Sequence, residues 1–146
     1  MTSAPARYQR PRVIVAEDLD ELDHVNNVVW LRFAVELAMA HSASVGLDMA
    51  AYQRIGGVWV AHRHEIDYRR SAVLGDELVE QTWVVEMRAA RSVRRARFLG
   101  ADGTELVRAR MEWAFVDRAS LRPRRVPPEV LKRFTPIPDE VDGSRA

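Results

Sequence analysis

The sequence predicts an α+β domain in which one apolar helix packs against a run of antiparallel strands. Two observations predict it. Between Val25 and Ala40 only Asn26, Asn27, Arg32 and Glu36 are polar, so a helix there has almost no polar face and belongs inside the fold. From Val58 onward the apolar period drops from helical to two, and turn residues separate the apolar runs, the pattern of strands joined by hairpins.

Each element follows in order. Residues 1 to about 10 carry Pro5 with scattered Arg and Ser and read as a frayed tail. Val13-Ile14-Val15 is a short β-branched strand. It runs into Glu17-Asp18-Leu19-Asp20-Glu21-Leu22-Asp23, five carboxylates in seven residues. The long helix starts at Asn26 or Asn27, either able to cap it, and Gly46 suits its C-terminal cap. Arg32 and Glu36, four apart, share one stripe. A short helix covers Asp48 to Gln53 and is closed by Gly56-Gly57. The next strand places Val58, Val60, His62, His64, Ile66 and Tyr68 on one face and Arg63, Glu65, Asp67 and Arg69 on the other. Gly75-Asp76 is a turn, Leu78 to Met87 and Ser92 to Leu99 are strands, and Gly100-Ala101-Asp102-Gly103 is a hairpin turn. Val107, Ala109, Met111, Trp113 and Phe115 alternate with polar neighbours in the last strand. Pro123, Pro127 and Pro128 end the sheet, and Glu129 to Phe134 forms one helical turn. The tryptophans Trp30, Trp59, Trp83 and Trp113 fall on core-facing phases. A sheet of about five strands curved around one buried helix is the hotdog fold, here as a single domain over 1–146 with tails at about 1–10 and 136–146.

Composition narrows the function. The 146 residues carry a formal net charge of +1, so no general electrostatic pull toward nucleic acid or membrane is expected. Cysteine is absent, which removes disulfides, thiolate catalysis and cysteine metal sites. No apolar run reaches spanning length and none resembles a signal peptide, so a cytoplasmic protein is expected. Lys132 is the only lysine among 22 basic residues, either for bidentate anion contacts or from coding bias. No glycine-rich phosphate loop, dinucleotide fingerprint or nucleophile-elbow serine motif occurs.

The junction at residues 20–27 is where chemistry is expected. A carboxylate serves as general base or nucleophile, and a helix start offers free N–H groups and a positive dipole end to an oxyanion. A solvated turn is the plainer reading of the acidic cluster, and a calcium loop lacks its Asp-x-Asp-x-Asp-Gly register. His62 and His64 have a spacing open to zinc but no cysteine or third ligand beside them, and packing is the reading adopted, with no metal. His41 reads as a cation at the helix C-terminus. Arg88, Arg91, Ser92, Arg94 and Arg95 cluster at one hairpin, as an anion site or a solvated face. An RNA surface lacks interleaved aromatics.

Asp20-x-x-Asp23-His24-Val25-Asn26-Asn27-x-x-Trp30-Leu31-x-Phe33-x-x-Glu36 resembles the D-x-x-G-H-V-N-N-x-x-Y-L-x-x-x-E stretch of hotdog acyl-CoA thioesterases of the 4-hydroxybenzoyl-CoA thioesterase type. His64 to Ala72 with Gly75-Asp76-Glu77-Leu78, and Asp117 with Arg122-Pro123, Arg125 and Pro127-Pro128-Glu129, are similar to that family's later segments. The resemblance spans about residues 10 to 135. It implies thioester hydrolysis with Asp20 as base or nucleophile, a backbone N–H near Asn27 at the oxyanion, and His24 and Asn26 orienting water or the carbonyl. Glu36 is a second site carboxylate or the partner of Arg32. Arg88, Arg91 and Ser92 match the family's coenzyme A phosphate contacts. No cofactor is implied beyond the coenzyme A of the substrate, and a homodimer or a tetramer of dimers is expected. Asp23 stands where the family usually has Gly, and Ser71 where it often has Pro. A hotdog hydratase or dehydratase, and a non-catalytic acyl-thioester-binding protein, are the alternatives.

Overall fold

The computed structural model describes residues 6–139. Five strands, β1 (Arg7–Val13), β2 (Gly57–Tyr68), β3 (Glu77–Arg88), β4 (Arg91–Leu99) and β5 (Glu105–Asp117), form one sheet. Its order is β1-β3-β4-β5-β2, antiparallel throughout. Helix α1 (Asn27–Ser44) lies on one face, with α2 (Met49–Ile55) after it and the short α3 (Pro128–Leu131) near the C-terminus. This is the hotdog arrangement expected from the element order.

α1 buries Trp30, Phe33, Ala34, Leu37, Ala38, His41 and Ser42, a stripe at three- and four-residue spacing. Trp30 and Phe33 pack on Phe98 of β4 with ring centroids 5.1 and 6.3 Å apart. The helix is not enclosed all round as its composition suggests: Val28 is 71% and Met39 51% exposed. Its end is a Schellman cap, with Gly46 (φ 88°) donating to the Ala43 carbonyl and Leu47 to that of Ser42.

Strand β1 begins at Arg7, inside the stretch read as a frayed tail, because ion pairs hold it. Glu80 of β3 is fully buried and accepts from Arg10 at 2.6 Å and Arg12 at 2.8 Å. At the other end, Ile137 donates to the Val84 carbonyl at 2.7 Å and Arg95 grips Asp139 with two bonds. The remainder of both expected tails lies outside the described residues.

Three strands bulge, β2 at His62, β3 at Val85 and β5 at Leu106, where the register skips one residue. A bulge bends a strand and increases its twist, which suits a sheet curving round α1. It also corrects the single face assigned to Val58 through Tyr68. The inward phase is Trp59 and Ala61 before the bulge and His64 and Ile66 after it. Trp83 departs from its expected core phase too: it sits on the outer face of β3 with the Arg7 guanidinium 4.4 Å from its ring centre.

Candidate active site

The acidic stretch divides its carboxylates by burial. Asp18 is buried; its Oδ1 accepts from Arg32 and its Oδ2 from the Val15 N–H, both at 3.0 Å. Its carbonyl accepts from the Asn26 N–H at 2.9 Å, and Leu19 bridges to Val25. These bonds pinch the chain into a loop. At the tip, the Asp23 N–H donates to the Asp20 carbonyl at 3.1 Å and the Asp20 N–H to the His24 carbonyl at 2.8 Å. Asp23 has φ 60°, the left-handed residue that closes such a three-residue loop and is most often Gly. That is the conformational reason for Gly at this position in the resemblance.

Asp20 is half-buried, and its Oδ1 accepts from the Leu22 N–H at 2.9 Å and weakly from His24 N–H at 3.4 Å. Oδ2 has no partner among the described residues. Asn26 caps α1 in an extended conformation (φ −62°, ψ 136°), its Oδ1 accepting from the Val28 N–H at 3.0 Å while its carbonyl accepts from Val29. The Asn27 N–H has no acceptor among the described residues. Tyr68 of β2 donates to the Asn27 carbonyl at 3.0 Å and ties the sheet to this helix start. The fold therefore gathers Asp20, the exposed His24, Asn26 and Asn27 in one pinched loop and cap.

Glu36 is not part of that group. It joins a chain of ion pairs, with Arg12 at 3.1 Å and Arg32 at 3.8 Å. The hairpin residues separate as well. Arg88 and Arg91 are exposed and lie beside Glu86 (3.2 Å) and Glu112 (3.8 Å). Ser92, one step on in the strand alternation, is buried on the helix side. His62 lies 3.6 Å from Glu112, and His64 packs edge-on against Trp113 with its titration pushed down by burial. Among the described residues no three metal-ligating side chains gather.

A cavity of about 580 Å³ opens between the second half of α1, α2 and the strands. Its walls include Val35, Met39, Tyr52, Trp59, Trp113 and Phe134, with Ser92 and Arg94 among the few polar members. Tyr52 meets Ser42 at 2.7 Å and accepts from the Trp59 indole at 3.2 Å. Arg94 is buried, and its Nη1 contacts His41 Nδ1 at 2.9 Å and donates to Thr82 Oγ1 at 3.1 Å. His41 is consequently no C-terminal cation: burial first, and Arg94 second, push its pKa down to about 4. Arg94 thus parts from Arg88 and Arg91, with which the hairpin cluster groups it as an anion site or a solvated face. The signal against that was its phase, shared with Ser92, Ala96 and Phe98.

Many solved structures share this architecture. A DHNA-CoA thioesterase from Staphylococcus aureus superposes with a TM-score of 0.76 at 13% identity, over 82% of this chain and 80% of that one. A 1,4-dihydroxy-2-naphthoyl-CoA thioesterase from Synechocystis gives 0.78 at 17%, over 86% and 93%. A hypothetical protein from Staphylococcus aureus solved in complex with CoA gives 0.82 at 13%, over 90% and 85%. At these identities the likeness establishes the fold. No curated protein sequence matches the chain. The sequence profile of the thioesterase-like superfamily does match, over residues 14–134, which contain the pinched loop, the helix cap and all of β2 to β5. The chain thus belongs to the thioesterase-like superfamily and is a thioester hydrolase on the hotdog fold.

Proposed function

We propose that this thioester hydrolase acts on acyl-CoA, with Asp20 as the reacting carboxylate and the Asn27 N–H as oxyanion donor. The observation that carries the reading is the free N–H of Asn27 at a capped helix start, directly beyond a loop that positions the Asp20 carboxylate through its own backbone bonds. The positive end of the α1 dipole adds to the pull on developing negative charge.

In the general-base form, Asp20 takes a proton from water as the water oxygen bonds to the thioester carbon. The oxyanion is held by the Asn27 N–H, the C–S bond then breaks, and the proton passes to the leaving sulfur. The products are the free acid and the CoA thiol. In the nucleophilic form an Asp20 oxygen bonds to the thioester carbon, the C–S bond breaks and CoA leaves as its thiolate, and water then cleaves the mixed anhydride to the free acid and the Asp20 carboxylate, its proton passing to the thiolate. His24, exposed beside the loop, and Asn26 orient the water or the carbonyl, and Glu36 stays with Arg12 and Arg32. Arg88 and Arg91 suit the CoA phosphates from the hairpin surface, with Ser92 on the acyl side. The enzyme works without a cofactor, in the cytoplasm, as a homodimer or tetramer of dimers. Support for assembly is the single pairing of β2 at the sheet edge and the exposed Val60 and Tyr68 along it.

A panel of acyl-CoAs assayed with a free-thiol reagent tests the activity, and Asp20→Asn should lower kcat by about a hundredfold. Silence of the wild-type chain across aliphatic and aryl esters would sink the reading; a near-normal Asp20→Asn rate would remove Asp20 from it.

A further inference from the structure

The most unusual side chain outside the loop is Arg94. It is 6% exposed, and no carboxylate lies within ion-pair distance of it among the described residues. Its protein partners are neutral. Thr82 contributes a hydroxyl that itself donates to the Arg95 carbonyl at 2.7 Å, and His41 contributes an imidazole. The Phe134 ring centre stands 5.8 Å from the guanidinium carbon. Burial lowers the Arg94 pKa to about 10, which still leaves it charged at neutral pH.

A buried charge without a counter-charge is costly, and natural folds normally supply the partner. Elsewhere this chain does so: Glu80 answers Arg10 and Arg12, Asp18 answers Arg32, and Asp139 answers Arg95. Among the described residues Arg94 is the one buried arginine, and it lines the cavity with no carboxylate beside it. The protein's bonds to it fall on Nη1, so its other N–H groups are open to an occupant. The one carboxylate on the cavity lining, Asp48, is exposed and spends its Oδ1 capping α2 at Ala51 N–H. Trp113, another wall residue, has a buried indole N–H without a partner among the described residues.

We infer that the cavity binds the acyl group of the substrate and that Arg94 pairs with an anionic oxygen carried by that group, as in an ω-carboxyacyl chain. The inference rests on the thioester-hydrolase reading for the word substrate; the anion site itself rests only on the cavity and Arg94. Position along α1 sets a length. The cavity begins at Val35 and Arg94 meets His41, which lie about 12 and about 21 Å from Asn27 at 1.5 Å per residue. A short acyl group held at the same protomer's helix start does not reach Arg94.

Binding is read on the full-length chain through quenching of tryptophan fluorescence, since Trp59 and Trp113 line the cavity. Dodecanoate should bind about tenfold more tightly than dodecanol, as a charge-assisted bond strengthens contact over a neutral one. Arg94→Met should abolish that difference and Arg94→Lys restore part of it. Equal affinity in the wild type, or a difference that survives Arg94→Met, overturns the anion site. Thermal melting controls for folding: Arg94→Met removes an uncompensated buried charge, so its Tm should match or exceed that of the wild type. A large drop in Tm assigns Arg94 to the scaffold and overturns the inference. In the catalytic arm, ω-carboxydodecanoyl-CoA should be preferred over dodecanoyl-CoA by the wild type and not by Arg94→Met. No hydrolysis of any ester with the binding difference intact defeats the proposed function alone; hydrolysis without a carboxyl preference defeats the substrate assignment alone.

Discussion

The Asp20 N–H donates to the His24 carbonyl at 2.8 Å across a loop closed by Asp23 at φ 60°. The bond holds only while residue 23 stays left-handed, a region open to Gly, tolerated by Asp and strained for branched side chains. Asp23 is exposed and its side chain has no bonded partner among the described residues, so the position demands a conformation rather than a charge. Asp23→Gly should retain stability and activity. Asp23→Val should cost about 1–2 kcal/mol and lower kcat as the loop loosens, checked by chemical denaturation and acyl-CoA turnover.

Asn26 holds the other half of the junction. Asn26→Ala removes the acceptor of the Val28 N–H, and loss of such a cap costs about 1 kcal/mol. The same change frees a second N–H at the helix start, so the expected signature is a lower kcat with a small fall in Tm. Asn26→Asp, which keeps the acceptor, should recover the Tm.

Glu80 is fully buried between Arg10 and Arg12. Glu80→Gln leaves Arg10 without its carboxylate and Arg12 with only Glu36, and breaking a buried pair in this way costs about 3 kcal/mol. Strand β1 should then exchange its amide hydrogens faster than β4 or β5, which hydrogen-exchange mass spectrometry resolves.

His41 makes the fold acid-sensitive. Its pKa is pushed from 6.5 to about 4 by burial and by Arg94, so the unfolded chain binds a proton that the folded one refuses. That contribution to stability is intact above pH 6.5 and is lost progressively as the pH falls from 6.5 toward about 4. His41→Gln should flatten this part of the Tm-against-pH curve, measured by thermal melts across the window.

Edge strand β2 carries Val60 at 44% exposure and, among the described residues, pairs only with β5. Val60→Asp places a charge on the open edge, an arrangement that discourages strand pairing between chains. Light scattering should show the wild type as a dimer or tetramer and the variant as a monomer. A monomeric wild type would remove assembly from the proposal.

The local signals in the sequence were strong enough to set the element order. The unbroken apolar run after Asn26 and the alternation in β5 exist because side chains must match one period or the other to be buried, and a single chain displays that period openly. Asn26 as cap, Gly46 as helix terminator and the Asp102-Gly103 hairpin are likewise written in short-range chemistry. The sharp turn at Asp23 was visible only as a mismatch, since φ is not a property of residue type alone.

Other features depended on residues far apart in the chain. The bulges at His62 and Val85 reverse which side chains face inward without leaving a mark on composition. β1 is ordered from Arg7 because Glu80 lies about seventy residues away to meet its arginines. Arg94 looked like one of several arginines on a hairpin, because sequence does not distinguish a solvated guanidinium from a buried one. The sequence by itself determined the class of fold and singled out the loop proposed to carry the chemistry. Tertiary structure alone decided that Arg94 meets His41 and lines a cavity, since contacts between α1 and β4 form only when the sheet closes on the helix.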